Sequence, residues 1–257
     1  MTMNSGPREW DAEVYDRVSD PQFAWAQEVL ERLPLEGDEV VLDAGCGSGR
    51  VTEQLVSRLP RGRVIGVDAS EGMIEKARER LGSEAELRVA DLAELELDAP
   101  VDAVFSSAVF HWIPDHDRLF ARLHAALRPG GRLVAQCGGK GNVASLVHVL
   151  IEVVAEEPFV QHFGDFKGGI WNFTTPEETA ERLRGAGFED VRCWLEQKSV
   201  TPEEPLAFLR TVTLGPHLAQ LPEELRQPFA EAVAERMVEP LTLDYMRLNI
   251  EARRPSS

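Results

Sequence analysis

A carboxylate followed by three alternating glycines, Asp43-Ala44-Gly45-Cys46-Gly47-Ser48-Gly49, comes straight after the apolar run Val40-Val41-Leu42. Glycine lets a strand turn into a helix with no Cβ over the turn, and a helix start offers N–H groups to whatever lies against it. The chemistry this predicts is the binding of something flat or charged. The spacing narrows the choice. A dinucleotide turn reads G-x-G-x-x-G and seats a diphosphate on the helix N-terminus. Here the order is D-x-G-x-G-x-G, with the acid at the strand's end. A carboxylate there repels a diphosphate but accepts hydrogen bonds from an ammonium, directly or through water. The pattern therefore favours an amino-acid-bearing nucleoside such as S-adenosylmethionine, and it disfavours a nicotinamide-dependent oxidoreductase.

The elements that position this turn repeat in a βα rhythm. Residues 63–68 read as a buried strand ending in Asp68, which lies 19 positions past Gly49, about where one βα unit returns the chain to the same sheet edge. A carboxylate at that tip can take both ribose hydroxyls of an adenosine. Ser70 reads as the N-cap of a helix over 71–81, whose Met73 and Ile74 face the nucleoside or the core. A third strand, 86–90, ends at Asp91, placed for the adenine amino group. A fourth, 101–105, runs into Ser106-Ser107-Ala108-Val109-Phe110-His111-Trp112. A helix over 115–127 stops at Arg128-Pro129-Gly130-Gly131, and a fifth strand covers 132–136.

Beyond residue 140 the alternation changes. A helix over 143–156, an aromatic segment over 159–173 and a helix over 176–185 precede a sixth strand, 190–195. Residues 202–239 read as two or three helices broken at Gly215-Pro216, Pro222 and Pro228, before a seventh strand over 243–252. Gly138-Gly139-Lys140-Gly141-Asn142 lacks the Walker spacing and reads as a flexible connection.

On Asp43 to Gly49, Asp68, Asp91 and Leu127-Arg128-Pro129-Gly130-Gly131, the chain resembles the class I S-adenosylmethionine-dependent methyltransferases over roughly residues 23–140. It is also similar to their small-molecule branch, which includes trans-aconitate methyltransferase. Trp10, Tyr15, Val109-Phe110-His111-Trp112-Ile113-Pro114 and Ala252-Arg253-Arg254 carry that second likeness. The resemblance implies an α/β fold: a Rossmann-like, seven-stranded, mostly parallel sheet with strand 7 antiparallel, flanked by helices and bearing a helical cap. One methyltransferase domain is expected over 1–257, with a cofactor core at 23–140 and cap insertions at 141–173 and 199–240. The implied cofactor residues are Asp43, Gly45, Cys46, Gly47, Asp68, Ala69, Met73, Asp91, Leu92 and Ser107. Trp10, Tyr15 and Gln22, ahead of the first core helix, together with Trp112 and Trp171, are the implied acceptor side; helix packing and core roles stand beside this for each. His111 is the catalytic candidate, as a base or substrate hydrogen-bonding group, with a pocket wall as the alternative. The implied reaction moves the methyl of S-adenosylmethionine to a small-molecule acceptor, leaving S-adenosylhomocysteine. A carboxylate acceptor would need a cation, for which Lys140, Lys167 and Lys198 are candidates. C- or N-methylation of a natural product and noncatalytic, regulatory cofactor binding are the alternatives.

Composition sets outer bounds. The 257 residues carry 27 basic and 44 acidic side chains, a net charge of −17, which argues against a polyanionic partner because phosphate binding needs clustered Lys and Arg. No nucleic acid partner is expected. No apolar run approaches the roughly 20 residues of a membrane span, and no basic-then-apolar signal opens the chain; a cytoplasmic monomer or homodimer, off the membrane, is expected. Cys46, Cys137 and Cys193 are odd in number and lack C-x-x-C spacing, and no histidines take metal-ligand spacing, so neither a disulfide framework nor a metal is expected.

Overall fold

The computed structural model describes residues 12–164, 166 and 171–256. Runs of apolar and β-branched residues form β1 (Val40–Ala44), β2 (Arg63–Asp68), β3 (Ala85–Val89), β4 (Val101–Ser107) and β5 (Leu127–Gly138). Later in the chain come β6 (Glu189–Val200) and β7 (Leu243–Arg253). All seven hydrogen-bond into one sheet of order β3-β2-β1-β4-β5-β7-β6, in which β7 runs antiparallel to β5 and β6 and the other pairings are parallel. The strand order reverses between β1 and β4, the kind of place where open α/β sheets bind ligands beyond the strands' carboxyl ends.

Helices cover both faces. On one, α2 (Asp20–Leu30) and α3 (Arg50–Arg58) pack Leu30, Val29 and Leu55 onto Val41, Val64 and Phe105. On the other, α5 (His116–Ala126) and α8 (Pro176–Gly185) press Leu119, Phe120, Leu123 and Leu183 against Leu42, Ile65 and Val104. The helix α4 (Glu71–Leu81) starts at Ser70, whose Oγ accepts from the Met73 N–H. A third core belongs to the cap. There α6 (Ala144–Val154), α7 (Val160–Phe163), α9 (Pro205–Phe208), α10 (Gly215–Leu218) and α11 (Glu223–Arg236) gather Leu150, Phe163, Phe208 and Phe229 around Trp25 and Tyr245.

Several boundaries depart from the sequence reading. Pro228 does not break a helix: α11 runs through it. The residue is exposed, so the ring and the carbonyl left without an N–H partner both face water, which lowers the cost of a helical proline. Arg128 to Gly131 belongs to β5, because Leu127 pairs with Val101 and the register then shifts at a bulge. β6 continues to Val200 along its full pairing with β7. Gln22 lies within α2 rather than ahead of the first core helix. The glycine-rich connection after β5 is tightly packed: an added Cβ at Gly138 would come 2.6 Å from Phe173, and Asn142 Oδ1 accepts from the Met246 N–H.

Candidate functional site

The turn after β1 is held from beneath by β2, whose Val67 carbonyl accepts from the N–H groups of Gly45 and Cys46 at 2.7 and 3.0 Å. Gly45, Gly47 and Gly49 all have positive φ (85°, 54° and 84°), a conformation that penalises a Cβ. Their surroundings differ. An added Cβ at Gly45 would meet Val109 Cγ2 at 2.1 Å, and one at Gly49 would meet Ala77 at 3.2 Å, whereas at Gly47 no atom lies within 4 Å. Gly45 and Gly49 thus serve close packing, and Gly47 opens onto space.

The acids do not act alike around that space. Asp68, at the tip of β2, accepts from the Gly47 N–H at 3.0 Å and the Ser70 N–H at 2.9 Å, tying the turn to the start of α4. Asp43 is 2% exposed and accepts from Thr52 Oγ1 at 2.7 Å. Burial pushes its carboxyl up to about 7, with the Asp68 charge adding to the rise and the Thr52 bond opposing it. Burial also raises the Cys46 thiol, with the charges of Asp43 and Asp68 adding to it. Asp91 is exposed and caps the short turn Leu92–Glu94 through the Ala93 N–H at 2.8 Å. Met73 and Leu92 are buried, while Ala69 and Ser107 are half-buried. Strands β1, β2 and β3 are adjacent, so the three acids follow one stretch of the sheet's edge. An acidic strand edge with open space over Gly47 fits a cation-bearing nucleoside.

A raised carboxyl pKa has a definite sign in stability. The native state binds the Asp43 proton more tightly than the unfolded chain does, so this group destabilises the fold progressively as pH rises from about 4 to about 7, and fully above that. Asp43→Asn keeps an acceptor for Thr52 and removes the charge. In urea denaturation of the cofactor-free protein, the variant is expected to match the parent near pH 4 and to exceed it by roughly 2 to 4 kcal/mol at pH 8. Equal stabilities at pH 8 would show that the charge is compensated.

The helix α1 (Ala12–Val18) is pinned across the glycine turn. Its Asp16 carboxylate accepts from Ser48 Oγ and pairs with Arg80, and the Asp16 carbonyl accepts from Arg50 at 2.9 Å. Tyr15 lies in α1, and Trp10 lies outside the described residues.

Beside the cleft, across β4 and β5, is a cavity of about 50 Å³ lined by Gln22, His111, Trp112, Trp171, Tyr245 and Arg247, among others. These residues come from α2, the segment after β4, the chain before α8, and β7. His111 is 7% exposed and packs between the rings of Trp112 (4.8 Å) and Phe173 (5.7 Å). Its Nδ1 accepts from the Gly138 N–H at 3.2 Å, so the neutral ring carries its proton on Nε2 and is a donor there. Asn172 binds the His111 carbonyl through its N–H at 2.8 Å and the Pro114 carbonyl through its side chain at 3.0 Å. That fastens Trp171 and Phe173, stacked at 5.4 Å, against the segment after β4. Gln22 Nε2 donates to Tyr245 Oη at 3.3 Å.

Among the described residues lining this cavity there is no lysine. Lys198 is paired with Glu28 and Glu196, both at 2.8 Å, Lys140 is exposed, and Lys167 lies outside the described residues. Among the described residues lining the cavity, the cation is Arg247. The sequence held a signal for it: alternate positions Tyr245, Arg247, Asn249 and Glu251 form a polar stripe on a strand that has neighbours on both sides. Among the described residues no cluster of three or more His, Cys, Asp or Glu could hold a metal ion, and no helix is long and apolar enough to cross a membrane. The three cysteines are free thiols.

Residues 41–131 match the family described as Methyltransferase domain. The whole chain is similar to trans-aconitate 2-methyltransferase of Variovorax paradoxus (strain S110), 33% identical over 255 residues that span 93% of this chain and 94% of that one. Against the enzyme of the same name from Methylobacterium radiotolerans, identity is 33% over 229 residues, 87% of each chain. Among solved structures, Haemonchus contortus phosphoethanolamine N-methyltransferase 2 in complex with S-adenosyl-L-methionine superposes with a TM-score of 0.61 at 21% identity, over 95% of this chain and 56% of that one. The YcgJ protein from Bacillus subtilis gives 0.65 at 12% identity, over 91% and 100%. At those identities the likeness is one of fold.

Proposed function

Because the chain belongs to the S-adenosylmethionine-dependent methyltransferases, we propose that it esterifies a carboxylate of a small carboxylic acid of the trans-aconitate kind. The observation that carries this reading is the cavity beside the glycine turn. It is lined by His111, by aromatic walls and by a cation, and the cited relatives whose names specify trans-aconitate match 93% and 87% of the chain.

When bound, S-adenosylmethionine supplies a methyl already made electrophilic by its sulfonium. The roles assigned to the protein are to hold, align and keep water out. Asp68 takes the ribose hydroxyls while its carboxylate fixes the Gly47 amide. Asp91 receives the adenine amino group, and Asp43, buried at the end of β1 just before the turn, is assigned to the amino-acid end, its charge growing as pH rises through about 7. Gly45, Cys46, Ala69, Met73, Leu92 and Ser107 shape the walls of the same cleft. A carboxylate acceptor is ionised above about pH 5 and needs no base. Positioning a nucleophile within about 3 to 3.5 Å and in line can supply most of the acceleration in such a displacement. His111 then orients the acceptor oxygen by donating from Nε2, with Trp112, Trp171 and Gln22 confining it. Trp10 and Tyr15 remain candidates for the cover over the cofactor.

Incubation with S-adenosylmethionine and trans-aconitate tests this. Saturable release of S-adenosylhomocysteine with an alkali-labile ester as product is expected. Turnover confined to amines or phenols, or a methylated product stable to mild alkali, would overturn carboxylate O-methylation in favour of N-, C- or phenolic O-transfer.

A further inference from the structure

Among the described residues β6 ends the sheet, with β7 on its inner side. It runs for 12 residues, Glu189–Val200, about twice the usual strand length, and an edge that long presents a row of backbone N–H and C=O groups to other chains. Proteins blunt such edges with bulges, inward charges or a covering element. Here the bulge between Glu189 and Arg192 blunts one end only. Beyond it the ladder is regular, and Arg192, Trp194, Glu196 and Lys198 alternate on the face shared with α2, where Lys198 meets Glu28 and Arg32 lies over the Trp194 ring. With Asp190 in the bulge, these alternate positions read negative, positive, neutral, negative, positive. Reversing the order about Trp194 inverts every sign. On the opposite face Val191, Cys193 and Leu195 are half-buried, and the first two line, with Ala180, Glu181 and Arg184 of α8, an open groove of about 780 Å³.

We propose that β6 pairs antiparallel with β6 of a second copy of this chain, about a twofold axis through Trp194, so that two sheets become one. A twofold axis perpendicular to a sheet keeps every side chain on its own face, so each residue opposes one of its own parity and the axis passes through a residue. Charge then selects which one. Centred on Arg192 or Glu196, the pairing sets a charge against itself; centred on Cys193 it sets Asp190 against Glu196, and on Leu195, Arg192 against Lys198. Centres nearer the ends shorten the overlap, and on Gln197 the facing charges are Glu196 and Lys198, already paired within the chain at 2.8 Å. Centred on Trp194, residues 189–199 overlap, Arg192 of each copy faces Glu196 of the other, Lys198 comes level with Asp190, and the two indoles meet on the axis. Opposite charges and aromatic rings directly across an antiparallel ladder are both favourable. The Arg192 side chain, 75% exposed beside Glu251, gains a second carboxylate. On the other face Cys193 opposes Leu195, and the second copy closes the mouth of the groove. The net charge of −17 on each copy repels at long range, but salt screens that beyond about 8 Å under physiological conditions, and the complementary pairs act at contact.

Sedimentation equilibrium of the full chain at about 0.15 M salt tests this. The wild-type protein is expected to reach twice the monomer mass by about 100 μM. Arg192→Glu and Glu196→Arg each set like charges across the axis twice over and should weaken the dimer by at least about 10-fold, whereas the double variant restores both pairs in reverse and should recover most of the loss. A second measurement needs no charge reversal. In a Cys193→Ala background, oxidised Trp194→Cys should form a disulfide-linked dimer, because residues facing each other on the axis stand within the Cα spacing a disulfide accepts. Glu196→Cys should not, being about 13 Å along the strand from its own counterpart. A wild-type chain that stays monomeric at about 100 μM, leaving the edge to a strand of some other protein, would overturn the pairing. So would single variants that dimerise within about 3-fold of wild type, a double variant as weak as the singles, or equal cross-linking at positions 194 and 196.

Discussion

Asp68→Ala is expected to weaken binding of S-adenosylmethionine by about 10- to 150-fold, the equivalent of losing roughly 1.5 to 3 kcal/mol of charge-assisted hydrogen bonding. The effect has two sources. The carboxylate is the group proposed above to take the ribose, and in the structure it joins the Gly47 amide to the Ser70 amide, so the variant loses the proposed contact and loosens the turn. Asp68→Asn separates them, since its single carbonyl oxygen keeps one of the two backbone bonds without the charge. Titration calorimetry with S-adenosylhomocysteine checks both variants. An affinity unchanged in Asp68→Ala would remove this residue from the cofactor site.

His111→Ala is expected to slow single-turnover methyl transfer by about 10- to 100-fold while affinity for the cofactor persists. The direction of the Gly138 bond decides what kind of loss this is. With Nδ1 occupied as an acceptor, the role proposed for the ring is that of a hydrogen-bond donor, and a carboxylate acceptor has no proton for it to remove. The pH–rate profile of the parent should therefore be flat from about pH 6 to about pH 8, and His111→Gln, which retains an N–H donor, should recover part of the rate. A rate that climbs tenfold per pH unit across that range would identify a base and overturn the donor role.

What could be read ahead of the structure is what neighbouring residues decide among themselves. Residues 71–81 and 176–185 were legible as helices to their ends because Ser70 and Thr175 cap them, the latter in a reciprocal capping box with Glu178 just after Pro176 is set in place. The strand ending in Asp68 was legible because apolar residues run unbroken up to an acid. Pro228 misled for the opposite reason: whether a helical proline is tolerated depends on which face meets solvent, and sequence spacing does not carry that. The cavity beside the turn was less legible still. Gln22, His111, Trp171 and Arg247 converge from four distant segments, and Arg247 lies 111 positions from Gln136, which accepts from its Nε. The motif residues around Gly47 could be placed, but the tether from Asp16 to Ser48 and Arg80 depends on a packing of α1 that no local pattern announces.

The approach of Val109 to Gly45 marks a seam through the molecule. To one side lie the strand tips that carry the three acids; to the other lie His111 and Gly138, just past the end of β4 and at the end of the parallel β5, and Arg247, brought to the same edge because β7 reverses direction. On the proposed function, donor and acceptor are handled by separate halves of one sheet, joined where a glycine admits a valine. Such a division leaves the acceptor half open to re-tailoring: exchanging side chains on β7 and in the 171–173 segment should retarget the enzyme among acids while its grip on the methyl donor is inherited unchanged.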